Sequence, residues 1–307
     1  TGHASRLWKE RYWGTPRDWK LLDRLGDLPR LCSIVGQQRS GGNSRWLIAE
    51  GVQPVGDSDD PSAAKTIALP SRLFISAKAV AGSFVLAQAD CEKLPHAEFR
   101  VRSGSNTNTE VFKGPHVLAT KGLNVAFADF AVSFRHAVRG IHGPSQDRDL
   151  LLFLAVYLRS PIARYFLFHT SSRWGIERSE VEVAELLRVP FPLPDQTVSP
   201  SQSKKLLSEI VRKIDAFSQA KAPTLRDREL DVQHLQDECN TLLYRYFDIH
   251  DVERPLIEDT ATIVMKSILP TRASSKLPTL KESSQDYRRH YTDLLCATLN
   301  DWAREGP

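Results

Sequence analysis

At 307 residues the chain is long enough for two domains, or for one domain with a large helical extension. Its 41% hydrophobic and 25% charged residues exclude global disorder, and no run reaches the ~20 consecutive apolar residues that a membrane-spanning helix needs. The formal net charge of +4 is unevenly placed: residues 1–150 hold 20 Lys and Arg against 15 Asp and Glu, residues 151–194 hold 5 against 4, and residues 195–307 hold 16 against 18. A basic excess in the first half points to a polyanionic partner there.

The first residues, Thr1-Gly2-His3-Ala4-Ser5-Arg6, have no apolar core and so do not read as a signal peptide. They also lack an initiator Met, which reads as a segment of something longer. Cys32, Cys91, Cys239 and Cys296 lie far apart without a C-x-x-C pair, so they are expected to be reduced, partly buried thiols of a cytoplasmic protein rather than a zinc ribbon.

Residues 1–30 form a lead-in. Tyr12-Trp13-Gly14-Thr15-Pro16-Arg17-Asp18 is turn-rich, and Trp19, Leu21, Leu22 and Leu25 then recur at helical spacing. From Pro29 to about Asp149, short apolar runs such as 72–76, 83–87, 98–102 and 116–119 alternate with Gly, Pro, Asn and Asp clusters, the texture of strands and loops. Gly56-Asp57-Ser58-Asp59-Asp60-Pro61 reads as a solvated acidic turn or, alternatively, as carboxylates of a metal-dependent nuclease.

Helical texture begins after Asp149. Residues 150–158 are apolar nearly all round, as in a helix buried between layers, and Pro161 suits the first turn of a second helix through Phe168. Within the polar loop 169–178, Trp174 is expected to plug the helix junction, and Glu177 and Arg178 suit a local ion pair. Ser179-Glu180-Val181-Glu182 predicts the capped start of a short helix ending near Arg188, and Pro190-Phe191-Pro192-Leu193-Pro194 an extended connector. Beyond Pro200, one stripe (Leu206, Ile210, Val211, Ile214, Phe217) and another (Leu230 to Tyr246), broken at Pro223, predict an antiparallel helical hairpin. Asp251 is expected to cap a further helix through Leu269, residues 271–284 to form a polar linker, and Tyr287, Tyr291, Leu294, Leu295, Leu299 and Trp302 to mark a last amphipathic helix. The fold class is therefore α+β, with a strand-rich domain over 31–194 and a helical spacer or docking region over 195–307.

Motifs for chemistry are absent. The chain has no Gly-rich turn fit for a sulfonium cofactor and no Asn/Asp-Pro-Pro-aromatic motif. It also lacks a phosphate loop, an H-E-x-x-H and a G-x-S-x-G, so it is not expected to be catalytic by itself.

Three stretches together carry a family resemblance. Tyr12 to Asp18 resembles the segment leading from the catalytic domain into target recognition in large adenine-specific DNA methylases. Phe112-Lys113-Gly114-Pro115-His116-Val117-Leu118 with Lys121-Gly122, then Val132-Ser133-Phe134-Arg135 and Arg139-Gly140-Ile141, resembles the strand-rich core of their recognition domain. Tyr157-Leu158-Arg159-Ser160-Pro161 to Leu167, Ser171 to Arg178 and Val189 to Pro194 is similar to their long helix, Trp-Gly loop and proline-rich exit. Arg159 stands where that family more often carries Asn. The resemblance covers residues 11–270 and is to type I and single-chain type II restriction–modification methylases. It implies sequence-specific binding of double-stranded DNA and a methyltransferase catalytic domain as partner, in the same parent chain or as a separate subunit. It also implies adenine-N6 methylation with S-adenosyl-methionine by that parent, in restriction–modification or phage defence. Neither a cofactor or metal in this chain nor a membrane partner is expected.

Sequence readers need Arg, Lys, Gln and Asn for base edges, and cations, hydroxyls and backbone N–H groups for phosphates. Gln38, Arg39, Asn43 and Arg45, in the loop Gln37 to Arg45, are candidates for either task. Lys113 and His116 flank a Gly-Pro turn able to approach a phosphate, with Lys121 in the turn that follows. Arg100 and Arg102 alternate with Phe99 and Val101 and so should share a strand face. Ser172 and Arg173 sit in the loop between apolar helices, where a guanidinium can bind guanine O6 and N7 together. These side chains are expected to converge on one concave surface. A helical protein-interaction scaffold, with DNA contact incidental, is the alternative reading.

Overall fold

The computed structural model describes residues 9–37, 44–57, 59–172, 174–176, 180–219, 225–268 and 284–304. Helix α1 (Pro16–Gly26) starts where Thr15 and Asp18 form a reciprocal capping box and Pro16 takes the first helical position. It buries Leu21, Leu22 and Leu25. Strands β1 (Val35–Gln37) and β2 (Trp46–Glu50) follow. Next come β3 (Lys65–Ala68), β4 (Leu73–Ile75), a short helix α2 (Ala77–Ala81), β5 (Glu92–Lys93) and β6 (Glu98–Val101). Strands β7 (His116–Thr120), β8 (Val125–Ala128), β9 (Ser133–Phe134) and β10 (Val138–His142) complete the strand-rich part.

The central sheet has five strands in the order β1-β2-β10-β7-β8. The β1–β2 pair is parallel and the other neighbours are antiparallel. Successive side chains point to opposite faces, and here both faces are covered. Ile48, Val117, Ala119, Phe127 and Ile141 enter the larger apolar core with the helices, while Ala49, Leu118, Ala126, Ala128 and Val138 enter a second core. That second core holds Phe112, Phe134 and the small sheets β3-β6 and β5-β4-β9. Gly140 is required there, because a Cβ would stand 2.6 Å from Cζ of Phe134.

Helix α3 (Arg148–Arg159) is buried from Leu151 to Leu158. It ends at Ser160, which caps α4 (Pro161–Thr170), with Pro161 in the first turn as expected. Among the described residues no single helix is long and apolar enough to cross a membrane. The α3–α4 pair reaches that apolar length only together, bent by 64°, and its side chains are used in the core. The short α5 (Val183–Leu186) begins later than the sequence suggests, because Glu182 with Glu185 forms its cap. The proposed pair Glu177–Arg178 and the proposed capping residue Ser179 lie outside the described residues.

Helices α6 (Pro200–Gln219) and α7 (Leu225–Tyr246) form the expected hairpin, joined by Lys213 and Glu238 across it. The helix expected from Asp251 starts instead as α8 (Arg254–Asp259), since Pro255 fits only a first turn. Asp251 lies before that helix and pairs with its first residue, Arg254. A π-helical turn (Thr260–Val264) leads into α9 (Met265–Ile268), and α10 (Gln285–Arg304) is the last helix. The larger core runs from α1 through the sheet, α3 and α4 to α6 and α7, across the domain boundary expected at 194/195. Helices and strands thus share one α+β fold.

The chain enters and leaves the strand-rich part through a common neck. Leu31 N donates to Val189 O at 2.9 Å, Cys32 N to Leu187 O at 2.8 Å and Phe191 N to Pro29 O at 2.7 Å. Phe191 is buried between Trp46, Phe153 and Tyr157, and the Tyr246 hydroxyl donates to Pro192 O at 2.8 Å. The proline connector is therefore extended, as its composition demands.

Candidate nucleic-acid interface

The register fixes which polar side chains stand together. His142, paired with Leu47 and His116, marks one end of the central sheet. Glu50, Arg139 and the Val138–Thr120 pair mark the other.

At the Glu50 end, backbone bonds join several cation-bearing segments. Lys121 N donates to Ala137 O, His136 N to Val52 O and Arg102 N to Gln53 O. Arg135 bridges Val52. Arg100, Arg102 and Arg135 are exposed, and buried Val101 separates the first two, which places both on one face of the strand edge. The Arg102 guanidinium donates through Nε to Gln53 Oε1 at 2.6 Å. Lys121 and Arg139 share Glu50, with N–O separations of 4.0 and 3.3 Å, and Arg139 also donates to Val181 O. Asn106 holds the backbone beneath them by donating to Glu50 O at 2.7 Å. Glu50 is thus the acid inside this row. Such a row can neutralise the phosphates of a polyanion.

The other end is different. Arg45 is not a free reader: its Nε and Nη2 donate to the two carboxylate oxygens of Asp147 at 2.6 and 2.5 Å. Trp46 Nε1 adds a third bond to Asp147 at 2.8 Å. Burial works to raise the Asp147 carboxyl, but these bonds and the Arg45 charge hold it below the usual carboxylate range. Lys113 is exposed and pairs with Glu110 at 2.8 Å. His116 corrects the expectation of a DNA-facing imidazole, because it is fully buried and bonded through Nδ1 to Val111 O at 2.9 Å. Burial pushes its pKa down to about 4, so it is neutral at neutral pH.

Ser172 is exposed, with its N and Oγ both held by Glu185 Oε1 at 2.6 and 2.8 Å. Beside it Trp174 fills the junction at 3% exposure, as its position suggests. Gly175 follows at φ +82°, where a Cβ would meet Phe168 Cδ2 at 2.8 Å. Lys9 ties this loop down by donating to Phe168 O and Trp174 O at 2.9 Å each and to Ser171 Oγ at 3.3 Å. Burial lowers its pKa to about 8, against the opposing charge of Glu185.

Gln38, Arg39, Asn43 and Arg173 lie outside the described residues. Of the rest, Arg100, Arg102 and Lys121 come together, while Arg45 and Lys113 stand at the opposite sheet end. The described candidates therefore do not form the single convergent surface expected. Arg135 and Arg139 join the row and were not singled out. Their signal was present in Val132–Arg135 and Val138–Ile141, where a cation interrupts an otherwise apolar strand.

The acidic turn is a structural turn. Asp59 Oδ2 accepts from Gly56 N, and Asp60 Oδ1 accepts from both N and Oγ of Ser62. Among the described residues no group of His, Cys, Asp or Glu is arranged to hold a metal.

No family model and no curated protein matches the chain. Among solved structures it is similar to the HsdS subunit from Thermoanaerobacter tengcongensis, at 14% identity and a TM-score of 0.27 over 75% of this chain and 51% of that one. It is also similar to a chain from a structure of the type I R-M system described for its complex assembly and conformational transition, at 12% identity and a TM-score of 0.28. That likeness covers 80% of this chain and 53% of the other. The chain thus spans about half the length of either, and likenesses this distant leave function to the site itself.

Proposed function

We propose that the chain is a sequence-specific duplex-DNA recognition module of a site-specific adenine-N6 DNA methyltransferase acting in restriction–modification or phage defence. The observation that carries this reading is the row Arg100, Arg102, Lys121, Arg135 and Arg139 along one edge of the strand-rich part, with Glu50 as its internal acid. Phosphates would seat on the row, and base edges would be read from loops beside it. Methyl transfer, and S-adenosyl-methionine with it, would belong to a catalytic domain or subunit. Helix α10 offers a docking face for that partner, since Tyr287, Tyr291 and Trp302 are each at least 61% exposed.

Selection from a randomised duplex pool, followed by titration of the selected site, tests the reading. Arg139 is buried against Glu50 and Val181 O; with Arg100, Arg102, Lys121 and Arg135 each turning from its present neighbours to one phosphate, the logarithmic salt slope should be about −3.6. Affinity should then fall on the order of 100-fold between 50 and 200 mM salt. Arg102→Ala should reduce the slope by ~1. A chain that binds no duplex at 50 mM salt, or selects no motif, is not a recognition module.

A further inference from the structure

The elbow between α3 and α4 carries two arginines that no carboxylate answers. Arg159, in the last turn of α3, lies 4.2 Å over the Phe84 ring. Its Nη1 donates to Ser83 O and Val125 O at 3.1 and 2.6 Å, and its Nε to Gln236 Oε1 at 3.4 Å. Arg164, in α4, reaches only Leu123 O, through Nη2 at 3.4 Å. Both are half-buried, and among the described residues neither has an Asp or Glu within ion-pair distance. Arg148, at the start of the same α3, shows the usual solution: it faces Asp129, Asp149 and Asp215.

Burial weakens both cations, and the nearby Arg164 charge weakens Arg159 further. Arg159 Nη2 and Arg164 Nε and Nη1 have no acceptor among the described residues, yet none of them is sealed from solvent. Two guanidinium groups held at the carbonyls of Val125 and Leu123, each with N–H donors that no described residue accepts, match the oxygens of a tetrahedral oxyanion. Their place matters as well. Leu123 and Val125 flank the β7–β8 turn, just after Lys121, so the elbow lies at the same sheet end as the cation row.

We infer that Arg159 and Arg164 form a clamp for one phosphate group at the edge of that row. The inference rests on the DNA-recognition reading only for the source of the phosphate. In that reading it is a backbone phosphate of the bound duplex, beyond the residues that select bases.

Two measurements on the full chain test it. Thermal melting is compared in inorganic phosphate and in chloride at equal ionic strength, for the wild type, Arg159→Gln, Arg164→Gln and Arg164→Lys. The selected duplex is then titrated against salt with the same proteins. The clamp predicts that phosphate raises the wild-type melting temperature, that each Gln variant loses the rise, and that Arg164→Lys keeps part of it. With duplex, the clamp adds one phosphate to those on the row, so the wild-type slope should steepen from about −3.6 to about −4.5, and each Gln variant should lose that ~0.9 while the selected motif stays the same. If the wild type binds no duplex but phosphate still stabilises it through these arginines, the clamp stands with free phosphate as its source, and the recognition reading falls. If only the duplex slope responds, the source is the DNA backbone. Wild-type phosphate response and wild-type slope in folded Gln variants would overturn the clamp. Should Arg159→Gln fail to fold, Arg164→Gln, whose side chain makes a single long bond, decides the matter.

Discussion

Removing Arg45 should destabilise the fold without changing which bases are selected. Asp147 has a side-chain exposure of 2%, and the Arg45 side chain, at 44%, supplies two of its three hydrogen bonds. Arg45→Ala therefore leaves a buried carboxylate with Trp46 Nε1 as its remaining donor. Breaking a buried pair from one side costs ~3–5 kcal/mol, and the partial exposure of Arg45 brings this down to about 2–3 kcal/mol. For a chain of this size that corresponds to a fall in melting temperature of about 3–5 °C. The double variant Arg45→Ala/Asp147→Asn leaves no unpaired charge and should recover at least half of the loss. The pH dependence follows from the lowered Asp147 pKa. Its stabilisation is complete above the unfolded carboxylate value of ~3.9 and disappears as pH falls through the lower folded value, so the single variant should shed this acid limb. Urea and thermal melts of the three proteins, with motif selection repeated on Arg45→Ala, provide the check. A single variant melting within 1 °C (~0.5 kcal/mol) of wild type, or a changed motif at unchanged stability, would refute the reasoning and return Arg45 to base reading.

Gly175→Ala should cost about 1–3 kcal/mol, because it places a side chain at φ +82° and presses a Cβ toward Phe168. Gly26→Ala, which meets nothing within 4 Å, is the control, and equal melting of the two would count against strain at the Trp174 loop. His116 predicts acid sensitivity. Its folded pKa of about 4 lies below the unfolded ~6.5, so the unfolded state takes up the proton first and stability drops as pH falls across that window. The loss is on the order of 3 kcal/mol, and urea midpoints between pH 7 and 4.5 should show it in wild type but not in His116→Gln. The same slope in both proteins would assign the acid limb elsewhere.

Helix boundaries were legible wherever local chemistry decides them. Pro161 marks the first turn of α4 and the exit prolines form the neck, whereas α1 starts at Pro16, inside the stretch read as a turn, because Thr15 and Asp18 cap it there. The α8 start was misplaced because the acidic Asp251 suggests a cap that Pro255 overrides by fixing where the first turn can lie. The strands of the central sheet were harder to read. β7 and β8 are buried on both faces, so the polar–apolar alternation that announces a strand is missing from His116–Thr120 and Val125–Ala128. The candidate site suffered most, since its residues meet through pairings such as Arg139 with Glu50, distant in sequence and invisible to spacing. Arg45 looked like a reader because the partner that occupies it lies 102 positions away.

The neck at Pro29–Cys32 and Leu187–Phe191 acts as a hinge pin with both of its leaves on the same post. Lengthening or shortening a loop that connects the strands leaves the neck in place, because its backbone bonds run between Pro29, Leu31 and Cys32 on one side and Leu187, Val189 and Phe191 on the other. Variation in the outer loops is thereby decoupled from the geometry the helices present to whatever they dock against.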